Sequence, residues 1–132
     1  MLKKKILVTG VAGFVGSNLA DRLVREGYSV IGIDNLSQGF IEQVPKEVEF
    51  HKLDVRSKDK IAPLFTGIDV VFHLAAKTNV SECQEAPYET ADINVMGTLS
   101  VFGFASWEKD QYERSVRHSL DEECAGVIAL RR

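Results

Sequence analysis

Three glycines spaced three apart, Gly10, Gly13 and Gly16, stand between the apolar run Ile6-Leu7-Val8 and a segment that turns helical at Phe14. A strand that enters a glycine-rich turn and opens at once into a helix is the layout of a loop that cradles phosphate. Each glycine has its own reason: Gly10 allows the positive φ of a tight turn, Gly13 lets backbone approach a pyrophosphate with no Cβ in the way, and Gly16 lets the helix lie close against the strand. The helix offers its free N–H groups and the positive end of its dipole to the loop, so a diphosphate is stabilised there without a basic side chain. Three glycines alone also describe an ordinary turn. Asp34 makes the difference: it ends a second apolar run, Ser29-Val30-Ile31-Gly32-Ile33. It falls about 20 residues after the loop, where dinucleotide-binding folds put the acid that holds the adenosine ribose hydroxyls. A carboxylate there accepts from both hydroxyls and repels a 2′-phosphate, and no arginine follows closely, so NAD is favoured over NADP. The structural alternative is an Asp that caps the Asn35-Leu36-Ser37 turn.

The elements that must position these groups follow from periodicity. Ile6–Val8 reads as a strand buried on both faces. After it, Val15, Leu19 and Leu23 lie four apart on one helix face, widened by Ala20 and Val24, with Asp21, Arg22, Arg25 and Glu26 toward water. Gly27 is placed to end that helix in a left-handed cap. Val48–Leu53 reads as a third strand. Ser57 is a candidate N-cap for a short helix over Ile61, Leu64 and Phe65 that Pro63 makes irregular and Gly67 closes. Asp69–Leu74 is a buried strand leading to Ala75-Ala76, whose small side chains leave room for a ligand at the switch point of strand order. Lys77, near the same edge, either reaches a phosphate or is plain surface; His73 reads as a packed strand residue rather than a base. Pro87 opens a longer helix with an inward stripe of Ile93, Met96, Gly97, Ser100, Val101 and Phe104. Gly97 costs that helix about 1 kcal/mol against alanine, which implies close packing.

Composition sets the class. The 132 residues form one domain's worth of chain, 45% hydrophobic and 27% charged, with a net charge of −3. That length buries roughly 68% of the unfolded surface, so folding needs neither disulfide nor metal. The mild acidity and the lack of a basic patch argue against nucleic acid or an anionic membrane as partner; Lys3-Lys4-Lys5 is a solvated flank. No apolar stretch approaches membrane-spanning length or a signal-peptide core. Cys83 and Cys124 show no metal-ligand or C-x-x-C spacing, so reduced thiols in a cytoplasmic protein are expected.

Taken in order, Thr9-Gly10-Val11-Ala12-Gly13-Phe14-Val15-Gly16, Asp34-Asn35-Leu36-Ser37, Asp54-Val55, His73-Leu74-Ala75-Ala76 and Asn94-Val95-Met96-Gly97-Thr98 resemble the extended short-chain dehydrogenase/reductases of the NAD-dependent epimerase/dehydratase family. The resemblance runs to about Ala105. It implies a Rossmann-like, doubly wound parallel sheet in three α/β/α layers, here truncated after the fourth strand and its long helix, as an NAD-binding domain over 1–105. It implies also that Phe14 and Val15 join the loop, that Asn35, Leu36 and Ser37 continue around the adenosine end, and that Asp54 and Val55 touch adenine. Leu74, Ala75, Ala76 and Lys77 would line the cofactor, and Asn94 would support the loop after the fourth strand.

Past Ala105 the resemblance fades. Tyr112-Glu113-Arg114-Ser115-Val116 is faintly similar to the Tyr-x-x-x-Lys helix of the family, but Val116 stands where the lysine should be. A lysine one turn along is what lowers a tyrosine pKa from about 10 toward working pH, so Tyr112 is left a neutral phenol; Lys109 is a weak substitute. Over 106–132, Tyr112, Val116, Leu120, Cys124 and Ile128 recur as on an amphipathic helix packed on the sheet or on a neighbouring chain; alternatively Gly126 breaks it and Val127 to Leu130 form a short strand. The expectation is an NAD-binding domain similar to the N-terminal half of a nucleotide-sugar epimerase or dehydratase, without its full catalytic machinery. The alternative is a non-enzymatic NAD-responsive interaction module. A fourth strand with nothing beside it would be an exposed apolar edge, so cover by the chain's own tail or by a second copy in a dimer is expected.

Overall fold

The computed structural model describes residues 3–105 and the strand at 128–131. Strand β1 (Lys5–Thr9) runs into helix α1 (Phe14–Arg25), followed by β2 (Ser29–Asp34), β3 (Glu49–Lys52), a short α2 (Lys58–Ile61) and β4 (Val70–His73). Beyond β4 come α3 (Val80–Glu85), α4 (Pro87–Ala91), a π-helical turn over Asp92–Met96, α5 (Gly97–Ala105) and β5 (Ile128–Arg131). The sheet order is β3-β2-β1-β4-β5. β1 to β4 are parallel, and β4 pairs with β5 antiparallel. The chain therefore winds outward on one side of β1 and then returns to its other side, the reversal that opens a crevice at the carboxyl ends of the strands.

Alternate residues of each strand point to opposite faces, and each face builds its own core. On one face Leu7, Ile33 and Val71 meet Ile61, Phe65, Val101 and Ala105; on the other Ile6, Val8 and Val30 meet Val11, Ala20 and Leu23. The result is the expected three-layer α/β/α architecture. Gly27 ends α1 with φ of +88°, its N–H donating to Val24 O, the left-handed cap that glycine takes without strain.

Four expectations need correction. Val15 does not share the inward face of α1. It is 57% exposed, while Gly16, Ser17, Ala20 and Leu23 are the buried residues, because glycine at 16 lets the helix sink onto the loop and rotates its first turn. Ser57 takes the N-cap position of α2 without a side-chain hydrogen bond; its carbonyl instead accepts from Lys60 N and Ile61 N, and a 3₁₀ turn over Ala62–Phe65 absorbs Pro63. The Pro87 helix is broken by the π turn, which slips the register by a residue. Met96 is thereby exposed, while Gly97, Ser100 and Val101 are buried as expected and Ala105 joins them. The helix over Val80–Glu85, capped by Asn79 Oδ1 accepting from Glu82 N, was not anticipated at all. Close packing at Gly97 does hold, since a Cβ there would stand 2.7 Å from Val55 Cγ2.

The outer edge of β4 is covered by the chain's own β5, in register from Val70↔Arg131 to His73↔Ile128. Ile128 thus lies in a strand and not on a helix. An antiparallel edge strand on an otherwise parallel sheet is a common ending for such sheets. The readings of Lys109, Tyr112, Val116, Leu120 and Cys124 lie outside the described residues.

Candidate functional site

At the carboxyl ends of β1, β2 and β4 the structure opens a cleft of about 500 Å³. Its floor is the glycine turn. Gly10 takes φ of +70°, and a Cβ there would stand 2.8 Å from Ala75 N on the opposite wall. At Gly16 a Cβ would fall on the carbonyl oxygen of Gly10. The intimate contact is thus between helix and turn, rather than between helix and strand as the spacing suggested. Gly13 sits at the N-cap of α1 with no side-chain cap, so the first-turn N–H groups of Phe14, Val15 and Gly16, which no carbonyl of the helix can reach, are left to a ligand. Phe14, 81% exposed, and Val15 project at the rim of the same cleft.

Asp34 ends β2 with its carboxylate on the cleft wall. One oxygen accepts from Ala12 N at 2.9 Å and the other from Leu36 N at 2.8 Å. It therefore does both things that the sequence allowed: it caps the turn that follows, and it faces the cleft. Through Ala12 it also ties the glycine loop to the tip of β2. Each oxygen keeps a lone pair for a further donor such as a ribose hydroxyl. Of the expected site residues, Gly10, Gly13, Phe14, Val15, Gly16, Asp34, Asn35, Ser37, Asp54, Val55, Leu74, Ala75, Ala76 and Lys77 all line this cleft. Leu36 does not. It takes φ of +59°, an uncommon conformation for a bulky residue, and its place is in the backbone of the turn, held by Asp34.

Asp54 lies in the cleft with both oxygens engaged. Arg56 donates from its backbone N and Nε to Oδ1 and from its guanidinium to Oδ2, at 2.8–3.0 Å. Those hydrogen bonds from Arg56, helped by one from Asn35, hold its carboxyl below the usual carboxylate range against the opposing effect of burial. The same guanidinium reaches Asp92 Oδ2 at 2.8 Å, joining the loop after β3 to the π turn. Arg56 escaped the sequence reading, although Asp-x-Arg at the end of a strand is a pair that can close on itself. Ile93, expected on the inward stripe of its helix, also lines the cleft, as do Gln38, Glu82 and Glu89, which carry no local signal. Lys77 is neither free surface nor unpartnered: its side chain is 17% exposed and its ammonium meets Glu89 Oε2 at 3.2 Å. Asn94 clamps the backbone of Lys77 from both sides, Oδ1 accepting from Lys77 N at 2.8 Å and Nδ2 donating to Lys77 O at 3.0 Å, the loop support that the resemblance implied.

His73 is buried and packed, as expected for a strand residue, with Thr9 Oγ1 at 2.6 Å from Nδ1 and Thr98 Oγ1 at 2.9 Å from Nε2. Burial lowers its pKa from 6.5 to about 4. The folded state thus disfavours the proton that the unfolded chain takes up readily. Stability attributable to His73 is complete above pH 6.5 and is lost as pH falls from 6.5 to 4. The loss reaches at most about 3 kcal/mol, and His73→Asn should flatten it. Urea unfolding at intervals across that window checks this; a stability that stays level down to pH 4 would contradict a buried neutral imidazole.

The glycine cradle, an uncapped helix N-terminus and a carboxylate at the tip of the neighbouring strand define a dinucleotide-binding domain of the Rossmann-like class. The comparisons narrow this. The model of the NAD dependent epimerase/dehydratase family matches residues 6–116, and the chain belongs to that family. A putative UDP-glucose 4-epimerase of Methanocaldococcus jannaschii is 42% identical over 97 residues, 73% of this chain and 32% of that protein. UDP-glucuronic acid decarboxylase 1 of Danio rerio is 34% identical over 103 residues, 78% of this chain and 25% of its own length. Among solved structures, the Thermotoga maritima UDP-glucose 4-epimerase with UDP-glucose superposes with a TM-score of 0.75 at 35% identity, over 76% of this chain and 33% of its own. The Thermus thermophilus UDP-glucose 4-epimerase in complex with NAD gives 0.72 at 34% identity, over 83% and 34%. The chain spans about a third or less of the length of these relatives. Among the described residues no helix is long and apolar enough to cross a membrane.

Proposed function

We propose that this chain binds NAD in the cleft and serves as the cofactor-holding part of a nucleotide-sugar epimerase or dehydratase. The observation that carries the reading is the junction of the two halves of the cleft: Asp34 accepts from Ala12 N, so the phosphate cradle and the ribose-binding carboxylate are held as one unit. The diphosphate would lie on the N–H groups of Phe14, Val15 and Gly16 and the adenosine ribose against Asp34. Val55 would face the adenine, with Asp54 kept ionised beside it by Arg56. Ala75 and Ala76 leave space along the β4 wall, and Lys77 supplies a cation already balanced by Glu89. NAD, when bound, is the acceptor that takes a hydride from a sugar carbon and gives it back. The sugar nucleotide and the reaction are those of the family by likeness.

Asp34 also sets the choice of cofactor. Its carboxylate faces the position of a 2′-phosphate, and the nearest cleft arginine, Arg56, is committed to Asp54 and Asp92. Titrating the 132-residue chain with NAD and NADP while following thermal unfolding is the test, because a ligand specific to the folded state raises the midpoint. NAD should raise it and NADP should do so far less at equal concentration. An equal response to both, or to neither, overturns the reading. Because Val116 stands where the tyrosine-activating lysine is expected, the chain by itself should bind NAD without turning over a UDP-sugar.

A further inference from the structure

The β4 wall of the cleft is held by a continuous line of hydrogen bonds, and the line passes through an imidazole. Thr9 Oγ1, at the end of β1, accepts from Leu74 N at 3.1 Å and from Ala75 N at 3.2 Å. The same hydroxyl meets His73 Nδ1 at 2.6 Å. On the other side of the ring, Nε2 meets Thr98 Oγ1 on α5, and Thr98 donates its proton to the backbone carbonyl of Asn94 at 2.5 Å. Asn94 in turn holds both backbone groups of Lys77. The wall from Leu74 to Lys77 is thus gripped at its start by Thr9 and at its end by Asn94, with His73 and Thr98 as the link.

Proton counting decides how the link is made. A carbonyl only accepts, so the single hydroxyl proton of Thr98 goes to Asn94 O, and Thr98 Oγ1 must accept from Nε2–H. The neutral ring then has a bare Nδ1, which takes the hydroxyl proton of Thr9, leaving the lone pairs of Thr9 for Leu74 and Ala75. Leu74 N–H is shared with the backbone carbonyl of Thr9 at 3.2 Å, every other donor of the line has one acceptor, and only the Nε2–H tautomer satisfies the set. We infer that Thr98 is a positioning residue for the cofactor: by fixing the Nε2–H tautomer of His73 it holds the Leu74–Lys77 wall in its NAD-binding shape. Neither Thr98 nor His73 lines the cleft, so their effect is exerted through Thr9 and Asn94. The inference rests on the cleft being the NAD site.

The test uses the full chain in three forms, wild type, Thr98→Val and Thr98→Ser. Histidine ¹⁵N spectra should show a protonated Nε2 and a bare Nδ1 for His73 in the wild type. Thr98→Val leaves Nε2–H without an acceptor, and should shift the ring toward the other tautomer and speed amide exchange at Ala75, whose N–H bonds to the Thr9 hydroxyl. Calorimetry should show NAD binding weakened about tenfold, the scale of one buried donor losing its partner. Thr98→Ser keeps the hydroxyl and should restore all three readouts, which a loss of packing at the methyl group would not. An Nδ1-protonated or charged ring in the wild type overturns the inference. So does NAD affinity in Thr98→Val within twofold of the wild type, with the cofactor reading left intact. Should the wild type bind no NAD, the cofactor reading fails by itself; unchanged protection of Ala75 in Thr98→Val would then defeat the inference independently. If Thr98→Val does not fold, the wild-type ¹⁵N tautomer and the behaviour of Thr98→Ser decide the matter.

Discussion

Replacing Gly16 with alanine is expected to weaken NAD binding to the folded chain on the order of a hundredfold. A Cβ at that position falls on the carbonyl oxygen of Gly10, with the Gly10 carbonyl carbon and Val11 Cα also under 3.0 Å away. All three are backbone atoms, so no rotamer change relieves the clash. The helix must lift or the glycine turn must open. Either movement displaces the N–H groups of Phe14, Val15 and Gly16 from the place where they converge on one diphosphate. Overpacking of this kind costs about 1–3 kcal/mol, offset in part by the gain of about 1 kcal/mol that alanine brings to a helix. The stability loss is therefore modest, while the loss of affinity should be on the order of a hundredfold, since several hydrogen bonds to one charged group fail together. Gly27→Ala is the control. Gly27 has φ of +88° with open space around it, so alanine there strains the cap of α1 far from the cleft. It should lower the unfolding midpoint with no change in NAD affinity. Calorimetry and thermal unfolding on both variants separate the two effects; full NAD affinity in the Gly16 variant would show that α1 does not hold the phosphates.

The second large effect is expected at Asp34. In Asp34→Ala two backbone donors, Ala12 N and Leu36 N, lose their acceptor. Each was a hydrogen bond to a charged group, worth about 1.5–3 kcal/mol. Leu36, held at φ of +59°, has little else to keep it in that conformation and should relax. The turn Asn35-Leu36-Ser37 and the glycine loop then move independently, and the ribose hydroxyls lose their partner as well. NAD affinity should fall by at least a hundredfold. NADP affinity should fall less, because repulsion of the 2′-phosphate disappears with the carboxylate. Asp34→Asn keeps one acceptor oxygen and presents an N–H₂ where the other amide needs an oxygen, so it should fall between wild type and alanine. An alanine variant that discriminates NAD from NADP as well as the wild type does would place the source of specificity elsewhere.

Most of the site was legible in the sequence because its parts are encoded locally. Gly10, Gly13 and Gly16 declare the cradle through what a missing Cβ permits, and Asp34 is found by following an apolar run to its end. Ala75 and Ala76 follow from the next such run. The readings that failed concern helix rotation and register. Periodicity alone puts Val15 inward, but the close seat of Gly16 on the turn sets the rotation of α1. An unbroken 3.6-residue repeat puts Met96 inward, but the π turn over Asp92–Met96 inserts a residue into that repeat. The turn coincides with the tie from Arg56 to Asp92 and the clamp of Asn94 on Lys77, both tertiary contacts invisible to a periodicity count. Of the two readings for the tail, the strand over Val127 to Leu130 comes within a residue of the observed Ile128–Arg131, which pairs with β4.

The α/β alternation, the phosphate cradle, the acidic residue at the end of β2 and the family are all readable along the chain, because glycine positions, apolar periods and strand ends act over a few residues. Which groups meet across the sheet is a property of the assembled fold. The order β3-β2-β1-β4-β5 brings Thr9 beside His73 and Leu74, some sixty residues away, and the packing of the helices beyond β4 brings Asp92 to Arg56. Hydrogen-bond partners across a sheet depend on which strands lie side by side, and no short stretch of chain contains that information.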